Sequence, residues 1–225
     1  MQPGIKNHSK TAGLLLLGLI VCQSVLAHVS VQELDNMSKT DAAFIYLIIG
    51  CKHIIPRGFD HILFVLSLFL LSPKLKPILW QSAAFTIAHS VTLIVAAYNK
   101  IMPPTQIVEP LIALSILYVA VENIISPRLK PSRIGIVFLF GLIHGLGFAG
   151  ALSEMGLPKN AYLISLIMFN VGVEIGQLII ILVAWLFLAK WFSQKDYYRR
   201  RIVIPLSVAI ALIAAFWTIQ RIFFI

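Results

Sequence analysis

The stretch C51-K-H-I-I-P-R-G-F-D-H-I-L-F-V-L66 decides how this chain is read. Its right half is apolar enough to lie in a bilayer. Lys52, His53, Arg57, Asp60 and His61 precede or interrupt that apolar run. Ionisable groups at that depth are expensive, so a chain that keeps them there gives them partners. Pro56 and Gly58 sit between the two histidines, where a helix kinks or breaks.

Outward from this stretch the chain stays greasy. Of its 225 residues 59% are hydrophobic and only 12% are charged, which excludes an ordinary soluble domain. Successive apolar runs are each long enough to cross a bilayer, which takes about 18 residues or more. Punctuation by Pro, Gly and charge predicts helices over roughly 41–72, 79–98, 107–126, 134–152, 161–190 and 202–224. The expected fold is an all-α polytopic membrane protein with six mature transmembrane helices after an N-terminal signal sequence. The first helix is long and kinked near Pro56. Two crossings separated by "PRG" would invert every later loop, so one broken crossing is expected instead.

The N-terminus resembles a secretory signal. Lys6 and Lys10 form a basic region, "GLLLLGLIV" an apolar core, and "VLA" ends at Ala27 with small residues at the cleavage positions. Residues 1–27 are read as a signal peptide or an uncleaved signal anchor. Residues 28–40 are a short periplasmic lead, and 41–225 are a single helical-bundle domain. Only Cys51 remains after cleavage, so no internal disulfide forms in the mature chain. His28 would then become the first residue and could chelate a metal through its amine and ring.

The net charge of +9 does not point to nucleic acid, because the positives lie in short loops between apolar runs. Lys74 and Lys76, then Arg128, Lys130 and Arg133, then Lys195 and Arg199 to Arg201 mark three loops as cytoplasmic. The loops at Lys100 and at 154–159 are expected outside, with both mature termini periplasmic, in a bacterial-type inner membrane. Lys52 and Arg57 are expected to reach interfacial lipid.

Polar stripes run along the spans. Ser82, Thr86 and His89 follow i, i+4, i+7. Ser115, Tyr118 and Glu122 follow i, i+3, i+7. Asn170, Glu174 and Gln177 follow i, i+4, i+7. Such stripes turn away from lipid, which offers no hydrogen bonds. Asp60, Glu122 and Glu174 would together cost about 8–10 kcal/mol if left isolated at depth. That rivals the stability of a whole domain, about 5–15 kcal/mol. The expectation is a shared polar core. Counting along each span puts His53 and Glu109 near the outer edge, Asp60, His61, His89, His144 and Glu174 centrally, and Glu122 near the inner end, facing the basic loop at Arg128. Ser115, Asn170 and Gln177 support the series. Gly141 and Gly145 flank His144 in a small-xxx-small pattern that permits close helix approach. The last helix has no acid or histidine and is expected to support the others.

The blocks "HIIPRGFDHILFVLSLFL", "FTIAHSVTL", "VEPLIALSILYVAVEN", "FGLIHGLGFAG" and "FNVGVEIGQ" fall in order from His53 to Gln177 and resemble the HupE/UreJ family, in particular its second branch. The resemblance implies a membrane permease related to the nickel permeases of hydrogenase and urease systems. It carries the family's His-x5-Asp-His motif onto His53, Asp60 and His61, and its second histidine motif onto His144. This chain has six residues, not five, between His53 and Asp60, and a single histidine in the second block.

Imidazole with carboxylate suits nickel, cobalt, zinc or copper. The resulting expectation is a non-enzymatic transition-metal permease, with nickel favoured by the resemblance. Its metal residues are His53, Asp60, His61, His89, His144 and Glu174, and its partners are the metal ion and membrane lipid. Two alternatives use the same residues. One is a metal-binding sensor or assembly protein without flux. The other is an intramembrane metal-dependent hydrolase, with Glu174 as general base beside bound metal.

Overall fold

The computed structural model describes residues 37–72, 74–99 and 103–224. The signal segment, His28 and most of the expected periplasmic lead lie outside the described residues.

The chain is all α-helical. Helix α1 spans Lys39–Ile54 and α2 spans Phe59–Leu71. They are followed by α3 (Leu75–Asn99), α4 (Thr105–Ile125), α5 (Arg133–Met155), α6 (Tyr162–Ala184) and α7 (Ile204–Phe223). A single π-helical stretch, Trp185–Ala189, prolongs α6 to Phe192, and another, Arg199–Val203, leads into α7. Five of these segments are long and apolar enough to cross a membrane unaided, and the bent pair of α1 and α2 makes six if it counts as one span.

The break has a local cause. Ser38 caps α1 by accepting the Asp41 amide at 3.1 Å. The helix then ends at Ile54, two residues before Pro56, which offers no backbone donor. Gly58 opens α2, and a Cβ there would stand 2.3 Å from the His53 carbonyl oxygen, so only glycine fits. The axes of α1 and α2 differ by 69°.

Contacts run the broken pair along the length of the bundle. From the middle of α1, the Tyr46 hydroxyl donates to the Gly156 carbonyl, in the loop between α5 and α6. Near the end of α2, the Ser67 carbonyl accepts from Asn123, close to the opposite end of α4. The pair therefore begins at one end of the bundle and finishes at the other.

The basic loops share an end. Arg199 donates to the carbonyls of Ser126 and Ile124, and a cavity of about 180 Å³ joins Pro77 and Trp80 to Lys130 and Pro131. All three positively charged connections thus gather at one end, as the charge pattern predicts.

The main packing pairs are α1 with α6, α3 with α5, and α4 with α7, while α2 leans on α4 and α6. Two of these pairs depend on glycine. A Cβ on Gly172 would lie 2.1 Å from the Leu47 carbonyl oxygen, and one on Gly145 would lie 2.3 Å from that of His89. Without side chains there, backbones meet directly, so residues beside each crossing come within reach of the partner helix.

Apolar packing falls into two clusters. One contains Phe64, Phe85, Ile116, Val137 and Ile181. The other contains Tyr46, Ile54, Leu93, Leu152 and Phe169. Along α3 the order is Phe85, His89, Leu93, and along α5 it is Val137, His144, Leu152. The histidines therefore occupy a layer between two apolar cores.

Candidate metal centre

Three imidazoles converge in that layer. One nitrogen from each of His53, His61 and His89 lies within 4.8 Å of the others. His53 and His61 meet edge to face with centroids 4.7 Å apart, and His89 stands 6.3 Å from His53 and 6.0 Å from His61. The Nε2 atoms of all three are buried and have no hydrogen-bond partner among the described residues. Each buried polar atom left unpaired costs about 1–3 kcal/mol. Each of the three rings thus keeps one buried nitrogen without a partner.

Hydrogen bonds fix which nitrogen of His89 is free. Asn170 Nδ2 donates to the Leu166 carbonyl at 2.8 Å, which leaves Asn170 Oδ1 as an acceptor. His89 Nδ1 is 3.2 Å from that oxygen and must donate to it. The His89 lone pair therefore resides on Nε2, the nitrogen without a partner. A metal-binding histidine is commonly held this way by its second nitrogen.

His144 is treated similarly. The Ser115 hydroxyl donates to the Ile112 carbonyl at 2.7 Å, so its oxygen accepts from His144 Nε2 at 2.9 Å. This places the His144 lone pair on Nδ1, which is buried and unpartnered. The ring packs edge to face on His61 with centroids 5.1 Å apart, beside the three-nitrogen group rather than within it. Phenylalanines enclose the layer: Phe148 and Phe169 against His53, Phe85 against His61, and Phe64 against His144.

The acids do not join the imidazoles. Asp60 lies about 100° round the helix from His61 and faces the other way. Its carboxylate accepts from Arg221 at 3.0 and 3.1 Å. The same guanidinium lies 3.3 Å from Glu109. The last helix is thus more than a support, because it delivers the cation that pairs with both acids. Glu122 bonds to Arg133 at 2.9 Å rather than facing Arg128. Arg133, expected in a loop, is buried and also binds Gln81 and Asn123. Sequence reasoning passed over Arg221 and Asn123. The signal for Asn123 was an amide one residue from Glu122 on an apolar helix.

His53 also departs from expectation. A straight helix would separate it from His61 by about 12 Å along the axis. The break after Ile54 folds the two rings together, so His53 belongs to the central group and not to an outer rung.

The remaining polar stripes meet face to face. His89 pairs with Asn170, Thr86 donates to Glu174, and Ser82 donates to Gln177 at 2.7 Å. Every expected site residue is therefore placed. His53, His61 and His89 share one site, with His144 alongside. Glu174, Gln177 and Asn170 line the α3–α6 seam, and Ser115 holds His144. Asp60, Glu109 and Glu122 are engaged by arginines.

Comparison with known proteins agrees with the architecture. A family model described as HupE / UreJ protein matches residues 27–221. No curated protein and no solved structure matches.

Proposed function

Because the chain belongs to the HupE/UreJ family, and its broken first span folds two histidines against a third, we propose that it is a permease for a divalent transition-metal ion, bound in transit by His53, His61 and His89. The observation that carries the proposal is the convergence of three imidazoles, one nitrogen of each within 4.8 Å of the others, in rings whose Nε2 atoms are buried without a partner among the described residues. Three buried nitrogens without partners cost about 3–9 kcal/mol in total, a large fraction of a domain's stability. A bound cation recovers that cost.

Nitrogen donors select the borderline metals nickel, cobalt, zinc and copper over magnesium or calcium. Family membership favours nickel among them. Neutral imidazoles also suit transport. They hold an ion without a fixed counter-charge beside it, and conduction requires binding weak enough to release. His144 stands by as a fourth nitrogen donor reached through His61. The ion approaches from the end where Glu109 and Asp60 lie and leaves at the basic end, which the positive-inside pattern assigns to the cytoplasm. The protein acts by binding and passage, with no catalytic residue.

The test is uptake of nickel, cobalt, zinc and copper into proteoliposomes by wild type and by His61→Ala and His89→Ala. Saturable uptake lost in both variants supports the permease. Stoichiometric binding with no flux in wild type would assign a sensing or assembly role instead.

A further inference from the structure

The carboxylates inside the bundle differ in one respect. Asp60 and Glu109 share Arg221, and Glu122 faces Arg133. Glu174 faces no Lys, Arg or His within ion-pair distance among the described residues. It lies within the span Lys159–Phe192, where an uncompensated acid is costly. Its bonds come only from hydroxyls. Thr86 donates to one carboxylate oxygen, and Ser82 stands 3.5 Å from the other.

The neighbours of Glu174 are also underused. Gln177 is fully buried, and its Oε1 accepts from Ser82 at 2.7 Å. Its Nε2, a donor that cannot ligate a cation, has no partner among the described residues, so Oε1 is the atom it offers a metal. On the other side, His89 Nε2 is likewise unpartnered. Thr86 and Ser82 fall three and seven residues before His89 on α3, while Glu174 and Gln177 fall four and seven after Asn170 on α6. The two helices thus present three rungs, each about one helical turn, or 5.4 Å, from the next. Beyond the last rung Gln81 accepts from Arg133 at 3.1 Å, and both residues line the cavity at the basic end.

We propose that Glu174, Thr86, Ser82 and Gln177 form a second cation site, an all-oxygen station for a divalent metal ion between the imidazole group and the basic end of the bundle. The inference rests on the permease reading and gives it a direction. A divalent ion leaving three neutral imidazoles meets a carboxylate that, among the described residues, faces no fixed cation. The hydroxyls of Thr86 and Ser82 and the amide oxygen of Gln177 complete an oxygen set. Oxygen donors hold borderline metals less tightly than imidazoles do. The ion therefore steps from a tighter site to a weaker one and is released, as multi-site passage requires.

The experiment uses the full chain and the ion, among nickel, cobalt, zinc and copper, that wild type takes up fastest. Equilibrium dialysis in detergent measures binding, and dye-loaded proteoliposomes measure uptake. Glu174→Gln is expected to keep the imidazole-site affinity within about threefold while uptake falls at least about tenfold. Glu174→Asp is expected to restore part of the uptake. Wild-type uptake by Glu174→Gln overturns the second station and leaves the permease reading intact. Absence of binding or uptake in wild type overturns both. If Glu174→Gln does not fold, Thr86→Val decides. Reduced uptake with unchanged binding supports the station, and unchanged uptake overturns it.

Discussion

Asn170→Leu tests whether the centre is built or accidental. Leucine fills much of the same volume and removes the oxygen that accepts from His89 Nδ1 at 3.2 Å. The imidazole then loses the bond that keeps its lone pair on Nε2. It rotates or changes tautomer, and the three-nitrogen group loses its fixed member. Removing a supporting partner of this kind typically lowers metal affinity by about 10–100-fold. That corresponds to about 1.4–2.7 kcal/mol. Leaving the buried Nδ1–H unpaired adds a stability cost of about 1–3 kcal/mol in the metal-free protein. Affinity is read by competition with a chromophoric chelator in detergent, and stability by thermal unfolding of the same samples. In a His89→Ala background the second change should have no further effect on affinity, because the two residues act as one unit. A folded Asn170→Leu protein that binds metal as tightly as wild type refutes the assigned tautomer and the role of His89.

Other perturbations probe the scaffold. Arg133→Met leaves the part-buried Glu122 without its cation, and Gln81 and Asn123 without their donor, and should cost about 2–4 kcal/mol in denaturant unfolding. Adding Glu122→Gln should recover much of that loss. Arg221→Met strands Asp60 and Glu109, but these groups keep some exposure, so the loss should be about 1 kcal/mol and should shrink at high salt. Gly145→Val drives a methyl-bearing carbon to 2.3 Å from the His89 carbonyl oxygen. It should destabilise the bundle by about 1–3 kcal/mol and weaken metal binding together, measured by unfolding and by dialysis.

The spans were legible because lipid imposes a simple rule. A helix that crosses must be apolar for about 20 residues, and this chain obeys it at nearly every boundary. The stripes on α3 and α6 were legible for the same reason, since polar residues at helical spacing have nowhere to face but inward. Their rung-by-rung pairing confirms that logic. Depth was less legible. Position along a straight axis misplaces His53, because the break at Pro56 and Gly58 bends the chain by 69° and turns an axial separation into ring contact. Facing was harder still. Asp60 and His61 are adjacent in sequence, and nothing local says which turns toward the imidazoles and which toward Arg221. Arg221 and Arg133 sit at helix ends, where arginine ordinarily reaches for interface water. Only the packed bundle shows that both point back to partly buried acids.

X-ray absorption on protein loaded with one equivalent of nickel or zinc addresses the imidazole centre itself. Three histidine nitrogens should appear at about 2.0–2.1 Å. Their number should fall by one in His53→Ala, the residue that a straight first span would hold apart. A spectrum dominated by oxygen ligands, or one that His53→Ala leaves unchanged, would contradict the three-histidine site.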